Sequence, residues 1–256
     1  MKSKLIRTSA GFAAGILLAT NAGAALVDLG PGSFTAQASV IDFSEWGLGT
    51  VNPSITVSTA SLGSVTVSTA GSFVGQTVTG GSVRTITCSP TAGPLTLNTA
   101  SGAATVYTAN DGAAGATSPT LSGDPIYNGP ISVLFSTPVA AVGLKGGYFD
   151  ALGATTIQAF DTKGNSLGSI VNSVLGFEFY GLADSTGAAD ISGISFYITG
   201  NEPYGFEIDN LTFGAASEVT GGVLPGVPDT GSTIALLLCS VLGLALVQRR
   251  VRVALC

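Results

Sequence analysis

Carboxylates at the two ends of the middle domain are the side chains best placed for chemistry. In the last predicted strand, Glu207 and Asp209 have the same parity as the apolar Leu211 and Phe213, and alternate residues of a strand share one face. If the strand is regular, both carboxylates lean toward the domain edge on its apolar side. In the first predicted strand, Glu45 has the same parity as the apolar Ile41 and Phe43.

Clustered carboxylates with poor access to water are costly unless they are protonated, paired with a basic residue or bound to a cation. Only Arg84, Lys145 and Lys163 are basic between residues 25 and 227. A hard cation with oxygen ligands, Ca²⁺, is therefore the hypothesis for a structural site. Its predicted ligands are Asp42, Glu45, Glu207 and Asp209. The alternative is that these acids are solvated or turned outward by a bulge, and Asp42 either joins the site or faces water.

Aromatic side chains on predicted loops suggest a second kind of site. Tyr148 follows two glycines and Tyr204 follows a proline, so both are expected on loops. Exposed rings can stack on the apolar faces of sugars, as they do on other flat ligands. Tyr148 and Tyr204 are therefore candidate glycan-stacking residues, and the alternative for each is packing in the core or at its rim.

The composition argues against several classes of function. The chain has 256 residues and no His, which excludes Ser-His-Asp and Cys-His catalysis. The middle of the chain has three basic residues against fourteen acidic ones, so a nucleic-acid partner is not expected. Glu178, Asp184 and Asp190 are scattered, whereas a glycosidase needs two carboxyls facing one cleft. We therefore expect no enzymatic activity.

The elements that must position these residues are short β-strands. Alternating apolar and polar runs, broken by Gly, Pro, Asn or Asp, predict an all-β antiparallel β-sandwich. The runs are Ile55–Thr59, Val65–Thr69, Val83–Thr87, Ala104–Thr108, Ile131–Phe135, Thr156–Phe160 and Ile191–Ile198. Residues 55–60 return as a near-copy at 65–70, a spacing that fits the two strands of a hairpin.

The N-terminus has the organisation of a secretory signal peptide. Lys2, Lys4 and Arg7 precede the apolar stretch Ala10–Ala19, and Ala22-Gly23-Ala24 offers a small-residue cleavage site. The alternative is a buried N-terminal helix. The signal-peptide interpretation predicts partners in the export machinery and signal peptidase.

The C-terminus has three parts in a fixed order. The polar motif consists of Val227, Pro228, Asp229, Thr230, Gly231, Ser232 and Thr233. An uncharged apolar stretch, Ile234–Val247, follows, and the basic cluster Arg249, Arg250 and Arg252 comes after it. Counted from Gly231, the uncharged stretch is at the lower limit for a membrane helix, and the arginines would stay cytoplasmic. The tail is thus predicted to anchor the chain with most of the protein outside.

This tripartite tail resembles the PEP-CTERM class of sorting signals, in the variant built on Val-Pro-Asp-Ser-Gly. Thr230 stands where that variant has Ser, and the chain continues to Cys256, past the usual arginine stop. The resemblance implies recognition by an exosortase-like transpeptidase, cleavage near the motif, and delivery to the cell envelope or extracellular matrix of a bacterium that makes exopolysaccharide. The alternative is a plain single-pass tail anchor.

The middle of the chain is similar to a galactose-binding-like jelly roll. The similarity rests on the runs Val139–Gly143, Ile157–Gly168 and Phe206–Gly214. It implies a sandwich of about eight strands whose first and last strands lie close together, with a structural Ca²⁺ at that end. The predicted organisation is a signal peptide at 1–24, a lead at 25–37, a β-sandwich at 38–214, a linker at 215–226 and a sorting signal at 227–256.

Cysteine usage agrees with export. Cys239 and Cys256 lie in the tail, so a cleaved chain keeps Cys88 alone and forms no intramolecular disulfide. Cys88 is expected to be a small buried side chain. The expected function is a non-enzymatic structural or surface protein of the envelope or matrix in an exopolysaccharide-rich biofilm. The alternatives are a carbohydrate-binding module and a glycan-active enzyme.

Overall fold

The computed structural model describes residues 26–111 and 119–220. The predicted signal peptide, the predicted C-terminal membrane helix and the sorting motif lie outside these residues. In the part of the chain that is described, no helix is both long and apolar enough to cross a membrane.

Short β-strands make up about half of the described residues, and the one helix among them is a 3-10 helix at Ala216–Glu218. The strands are β1 (Leu26–Asp28), β2 (Ser39–Ile41), β3 (Ser54–Thr59), β4 (Gly63–Ala70), β5 (Thr77–Gly80), β6 (Arg84–Thr87), β7 (Val106–Asn110), β8 (Pro119–Gly123), β9 (Ile131–Val139), β10 (Ala141–Phe149), β11 (Thr155–Phe160), β12 (Ser166–Val171), β13 (Gly176–Asp184), β14 (Ile191–Ile198) and β15 (Glu207–Gly214). Each of the seven alternating runs overlaps a strand, which confirms the all-β prediction, although β7 begins two residues after the start of the run at Ala104.

The strands form two large antiparallel sheets and one small ribbon. The seven-stranded sheet has the order β1-β13-β10-β15-β8-β7, and β2 also pairs with β15. The six-stranded sheet has the order β12-β11-β14-β9-β4-β3, and β5 pairs with β6. The pairing of β2 with β15 brings the two ends of the predicted sandwich side by side. The jelly-roll resemblance itself stays a prediction.

The two large sheets pack face to face around a common apolar core. Phe135 of the six-stranded sheet and Phe213 of the seven-stranded sheet have ring centroids 5.1 Å apart. Tyr180 and Phe196 make a second contact between the sheets at 5.2 Å. Buried rings at this spacing remove large apolar areas from water, so the sandwich core is the main source of stability for the strands that carry the site.

The folded domain extends beyond residues 38–214 on both sides. Strand β1 lies in the predicted lead and pairs with β13. The backbone N–H of Thr35 donates to the carbonyl of Glu218 at 2.8 Å, and Phe34 forms a β-bridge with Val219. The lead and the start of the predicted linker therefore pack against each other and cover part of the outer face of β10 and β13.

Cys88 differs from its expectation. It follows strand β6 directly, has a φ of 68° and is exposed. A left-handed residue at the end of a strand breaks the alternation of the strand and turns the chain away from the sheet. The prediction of a buried Cys88 is therefore wrong.

Candidate functional site

A bulge at Asn210 decides which way the carboxylates of β15 point. Asn210 has a φ of 50°, and the register of β15 against β10 shifts there. Leu211 and Ile208 both lie in the core, although they are three residues apart. Glu207 and Asp209 therefore point to the outer face of the seven-stranded sheet. The expectation that they share the apolar face of a regular strand is wrong, because one inserted residue reverses the alternation.

Glu207 and Asp209 line a small pocket of about 30 Å³ on this outer face. We call it the acidic pocket; its polar lining residues are Asp111, Thr120, Lys145, Glu207 and Asp209. The Thr120 hydroxyl donates a hydrogen bond to Glu207 Oε2 at 2.9 Å. Glu207 is 3% exposed, so its carboxylate depends on protein groups rather than on bulk water for its hydrogen bonds.

Opposing effects act on the pKa of Asp209. Burial raises the pKa of this carboxyl, whereas a hydrogen bond from the backbone N–H of Asn210 and the charge of Lys145 lower it. The charges of Asp42 and Asp111 raise it again, and the net pKa is above the ordinary value. The crowding of negative charge at this edge is therefore only partly relieved.

Lys145 is the basic group of the acidic pocket. It lies opposite Asp209 in the pairing of β10 with β15. Its Nζ atom lies 5.2 Å from the centroid of the Phe177 ring, a distance at which the ring face attracts a cation. The ammonium group is thus held over the outer face of the sheet, next to the carboxylates.

Asp42 and Glu45 lie in the segment after β2 and are exposed. Hydrogen bonds from the hydroxyl and the backbone N–H of Ser44 lower the pKa of Asp42. In the described parts of the chain, no group of three or more His, Cys, Asp or Glu is arranged to hold a metal ion. Calcium binding by Asp42, Glu45, Glu207 and Asp209 therefore stays a prediction from the sequence.

A cavity of about 190 Å³ opens beside the acidic pocket. We call it the aromatic cavity; it is lined by Tyr127, Tyr148, Tyr204 and Phe206. Phe206 is 1% exposed and its ring lies 4.5 Å from that of Phe196, so it forms a rigid floor attached to the core. Tyr204 is 75% exposed, so its ring is open to a ligand. The structure thus brings Tyr148 and Tyr204 together, as well as a third tyrosine.

Tyr148 is placed by a second irregularity in the sheet. The register of β10 against β13 shifts between Gly146 and Phe149, and Tyr148 has a φ of 69°. Its ring packs edge-on against Phe177 at 4.8 Å, and its hydroxyl donates to Asp111 Oδ1. Tyr148 therefore connects the aromatic cavity with the acidic pocket.

Tyr127 is held by hydrogen bonds at both its backbone and its ring. Its hydroxyl donates to the carbonyl of Asn110 at 2.8 Å, and its own carbonyl accepts from the backbone N–H of Phe206 at 2.6 Å. Burial raises the pKa of Tyr127, and the charges of Glu207 and Asp111 raise it further. The phenol therefore stays neutral and available as a hydrogen-bond group.

Gly205 permits the close approach of the two loops. It has a φ of +79°, and a Cβ at this position would lie 1.9 Å from the carbonyl oxygen of Tyr127. Only glycine adopts this conformation without strain and leaves room for the neighbouring backbone. The position of Tyr127 beside Phe206 therefore depends on the absence of a side chain at residue 205.

Glu202 lies two residues before Tyr204 of the aromatic cavity and forms a pair with Asp150. Glu202 is 1% exposed and accepts hydrogen bonds from the backbone N–H groups of Asp150 at 2.8 Å and Ala151 at 3.3 Å. Burial raises the pKa of Glu202, and a hydrogen bond with the Asp150 side chain raises it further. Burial and the neighbouring Asp150 carboxyl thus both disfavour the charged form of Glu202.

Asp111 and Glu202 escaped the sequence analysis, and Tyr127 was not selected as a candidate site residue. Tyr127 lies between a proline and an Asn-Gly pair, so turn residues on both sides were a usable signal for a loop position. Asp111 and Glu202 carry no such signal, because their roles come from contacts with Tyr148 and Asp150, which lie far from them in sequence.

A comparison with protein-family models identifies residues 226–251 as a VPDSG-CTERM motif. This motif is a PEP-CTERM-type exosortase sorting signal, which confirms the sequence prediction. It implies an exported protein that an exosortase-like processing enzyme recognises. Neither the curated proteins nor the solved structures include a significant match to the chain.

Proposed function

We propose that this chain is a non-enzymatic surface or matrix protein whose β-sandwich binds a neutral glycan. The observation that carries the proposal is the aromatic cavity, in which Tyr127, Tyr148 and Tyr204 surround the buried ring of Phe206. Aromatic rings offer flat apolar faces to the C–H faces of sugars. A concave site with an apolar floor and a few polar groups is the usual form of a small-molecule site.

The polar groups around the aromatic cavity suit sugar hydroxyls. Tyr127 and Tyr148 contribute phenolic oxygens, and the negative charges of Asp111 and Glu207 lie in the adjoining acidic pocket. The charges of both acids reach Tyr127 strongly enough to raise its pKa. The same charges repel anionic sugars, so the site favours a neutral glycan over a uronic-acid polymer.

The sorting signal supports a role outside the cell. Exosortase-type sorting implies export, and a glycan-binding sandwich in that location would meet exopolysaccharide. We therefore propose a structural or surface-associated role in an exopolysaccharide matrix. We further propose that the apolar segment 234–247 holds the chain in the membrane until it is processed.

The carboxyl geometry supports binding without catalysis. Glu202 is 1% exposed, whereas the two carboxyls of a glycosidase face a cleft that admits a sugar and a water. Glu202 is also occupied by two backbone N–H groups. These contacts hold the loop of Glu202 against the loop that begins at Asp150.

Affinity electrophoresis and a glycan array with the full-length chain in detergent test the proposal. Wild-type protein should be retarded by a neutral polysaccharide, and Tyr204→Ala should weaken this binding roughly 2- to 12-fold, because an aromatic contact contributes about 0.5–1.5 kcal/mol. Tyr204→Trp should keep the binding. The control is Tyr197→Ala, which alters a tyrosine in the six-stranded sheet that donates to Gln158.

Three results would contradict glycan binding at this cavity. The first is wild-type protein that binds no glycan. The second is equal retardation of wild type and Tyr204→Ala. The third is turnover of a glycan that stops in Asp150→Asn or Glu202→Gln, which would favour an enzyme instead.

A further inference from the structure

Strand β3 (Ser54–Thr59) is an edge strand of the six-stranded sheet. It pairs with β4 on one side, with six consecutive residue pairs and no register shift. No other strand in the described residues pairs with it. Its second side is therefore a straight row of backbone groups open to a further strand.

The hydrogen bonds of β4 identify which backbone groups of β3 face the open side. The backbone N–H of Thr66 donates to Ser136 Oγ at 2.8 Å, away from β3. Thr56 and Thr66 are thus a pair without backbone hydrogen bonds, which agrees with the 2.8 Å contact of their hydroxyls. Because the pattern alternates, the N–H and C=O groups of Ser54, Thr56 and Ser58 point outward from the sheet.

Strand β3 lacks the usual features that protect an edge. Natural edge strands carry charged side chains, an internal proline or a bulge that prevent pairing with another molecule. Residues 46–83 contain no Asp, Glu, Lys or Arg, and β3 itself contains no proline. The apolar Leu48 and Val51, each 59% exposed, precede it. Nothing in this strand opposes the approach of another neutral strand.

The intramolecular partner of β3 shows what kind of strand fits it. Residues 65–70 of β4 are a near-copy of residues 55–60. In the pairing of β3 with β4, Ile55 lies opposite Val67 and Thr56 opposite Thr66. The strand that β3 already accepts is therefore almost a second β3, with Ile and Val on the inner face and Ser and Thr on the outer face.

We propose that two copies of this chain associate by antiparallel pairing of their β3 strands about a two-fold axis at Thr56. Thr56 faces Thr56 of the partner subunit, Ser54 faces Ser58 of the partner subunit, and Ile55 faces Val57 of the partner subunit. This register uses the outward backbone groups of Ser54, Thr56 and Ser58 and joins the two six-stranded sheets into one. The association does not depend on the glycan site.

The opposite edge of the same sheet is less suited to pairing. Strand β12 contains Gly168 with a φ of +143°, and its register against β11 shifts near that residue. Leu26 of β1 packs beside it, because a Cβ on Gly168 would lie 3.2 Å from Leu26 Cδ1. A bulged and partly covered edge does not template a strand, so pairing through β3 closes at a dimer and does not extend into a fibre.

Site-specific disulfide formation tests the proposed register in the full-length chain. In a background with Cys88, Cys239 and Cys256 changed to Ser, Thr56→Cys places two thiols across the two-fold axis. Opposite residues with backbone hydrogen bonds have Cα atoms ~5.5 Å apart, within the range for a disulfide. We expect several-fold more cross-linked dimer from Thr56→Cys than from Thr66→Cys, the matched threonine one strand further in.

Two further measurements complete the test. Ser54→Cys mixed with Ser58→Cys should form a mixed dimer more readily than either variant alone. Thr56→Lys, which places a charge on the edge and removes only the exposed hydroxyl contact with Thr66, should abolish the dimer in sedimentation velocity while its circular dichroism stays unchanged. Equal cross-linking of Thr56→Cys and Thr66→Cys, or a dimer that persists in Thr56→Lys, would overturn the proposal.

Discussion

The hydroxyl of Tyr148 donates a hydrogen bond to Asp111 Oδ1 and so joins the aromatic cavity to the acidic pocket. Tyr148 is in β10 and Asp111 follows β7, so the contact connects two parts of the seven-stranded sheet that β15 and β8 separate. A ligand stacked in the cavity therefore lies next to charged acceptors, and the two features act as one site.

Tyr148→Phe should lower both stability and glycan affinity. The variant removes a hydrogen bond to a carboxylate, a class of bond that contributes about 1.5–3 kcal/mol, so the melting temperature should fall by roughly 3–10 °C. Differential scanning calorimetry and affinity electrophoresis measure the two effects. Tyr197→Phe is the matched control, because its hydroxyl donates to the neutral amide oxygen of Gln158. An equal effect of both variants would show that the Asp111 contact has no special role.

Gly205→Ala should destabilise the domain more than Gly153→Ala. Both glycines have positive φ, at +79° and +70°, but a Cβ meets the Tyr127 carbonyl at residue 205 and nothing within 4 Å at residue 153. The shared backbone strain is about 1–2 kcal/mol, and the overlap at residue 205 adds about 1–3 kcal/mol more. Urea unfolding of the two variants measures the difference. Similar unfolding midpoints would contradict this prediction, because they would mean that the loops of Tyr127 and Gly205 can move apart without loss of stability.

Glu202→Gln should reduce the pH dependence of stability. Burial raises the pKa of Glu202, so the folded state keeps this proton to a higher pH than the unfolded state. Stability should therefore fall as pH rises from the ordinary pKa of a glutamate through the raised one, and the loss is absent below the ordinary value. Urea unfolding between about pH 4 and pH 7 measures this slope.

The control for this pH series is Glu178→Gln. Glu178 also accepts backbone N–H bonds, from Ser173 at 2.8 Å and Val174 at 3.1 Å, so its substitution reproduces the loss of a loop clamp. The decline in stability assigned to Glu202 should remain in this variant. A decline that is equally steep in wild type and Glu202→Gln would contradict the assignment.

A thermal melt in millimolar Ca²⁺ and in EDTA tests the calcium hypothesis. The hypothesis predicts that Ca²⁺ raises the melting temperature, because Lys145 offsets only part of the negative charge around Asp209. The stabilisation should be lost in the double variant Glu207→Gln/Asp209→Asn, and identical melting curves in Ca²⁺ and in EDTA would contradict the hypothesis. The single variant Asp190→Asn is a suitable control, since Asp190 is exposed and is not one of the four predicted ligands.

The predicted glycan-stacking residues Tyr148 and Tyr204 show what local sequence patterns can predict and what they miss. Gly and Pro before Tyr148 and Tyr204 indicated loop positions, and both rings line the same cavity. Tyr148 nevertheless lies within β10, at a bulge with a φ of 69°. This bulge exposes the ring of Tyr148. It arises from the pairing of β10 with β13 and β15, which cannot be predicted from the sequence of β10 alone.

The sequence by itself determined the sorting signal of this protein and the class of its fold. Export and sorting signals are read from hydropathy and charge along short segments, and residues 226–251 are one such segment. The alternating runs determined the all-β architecture, because side-chain period is a local property of a strand.

Only the tertiary structure decided which side chains form the site. The bulge at Asn210 reverses Glu207 and Asp209, and the Tyr127 loop meets Phe206 through a bond between residues far apart in sequence. Register between strands depends on the packing of the whole core, and a shift of one residue moves a side chain to the other face of the sheet. The composition of the site was therefore decided by long-range pairing.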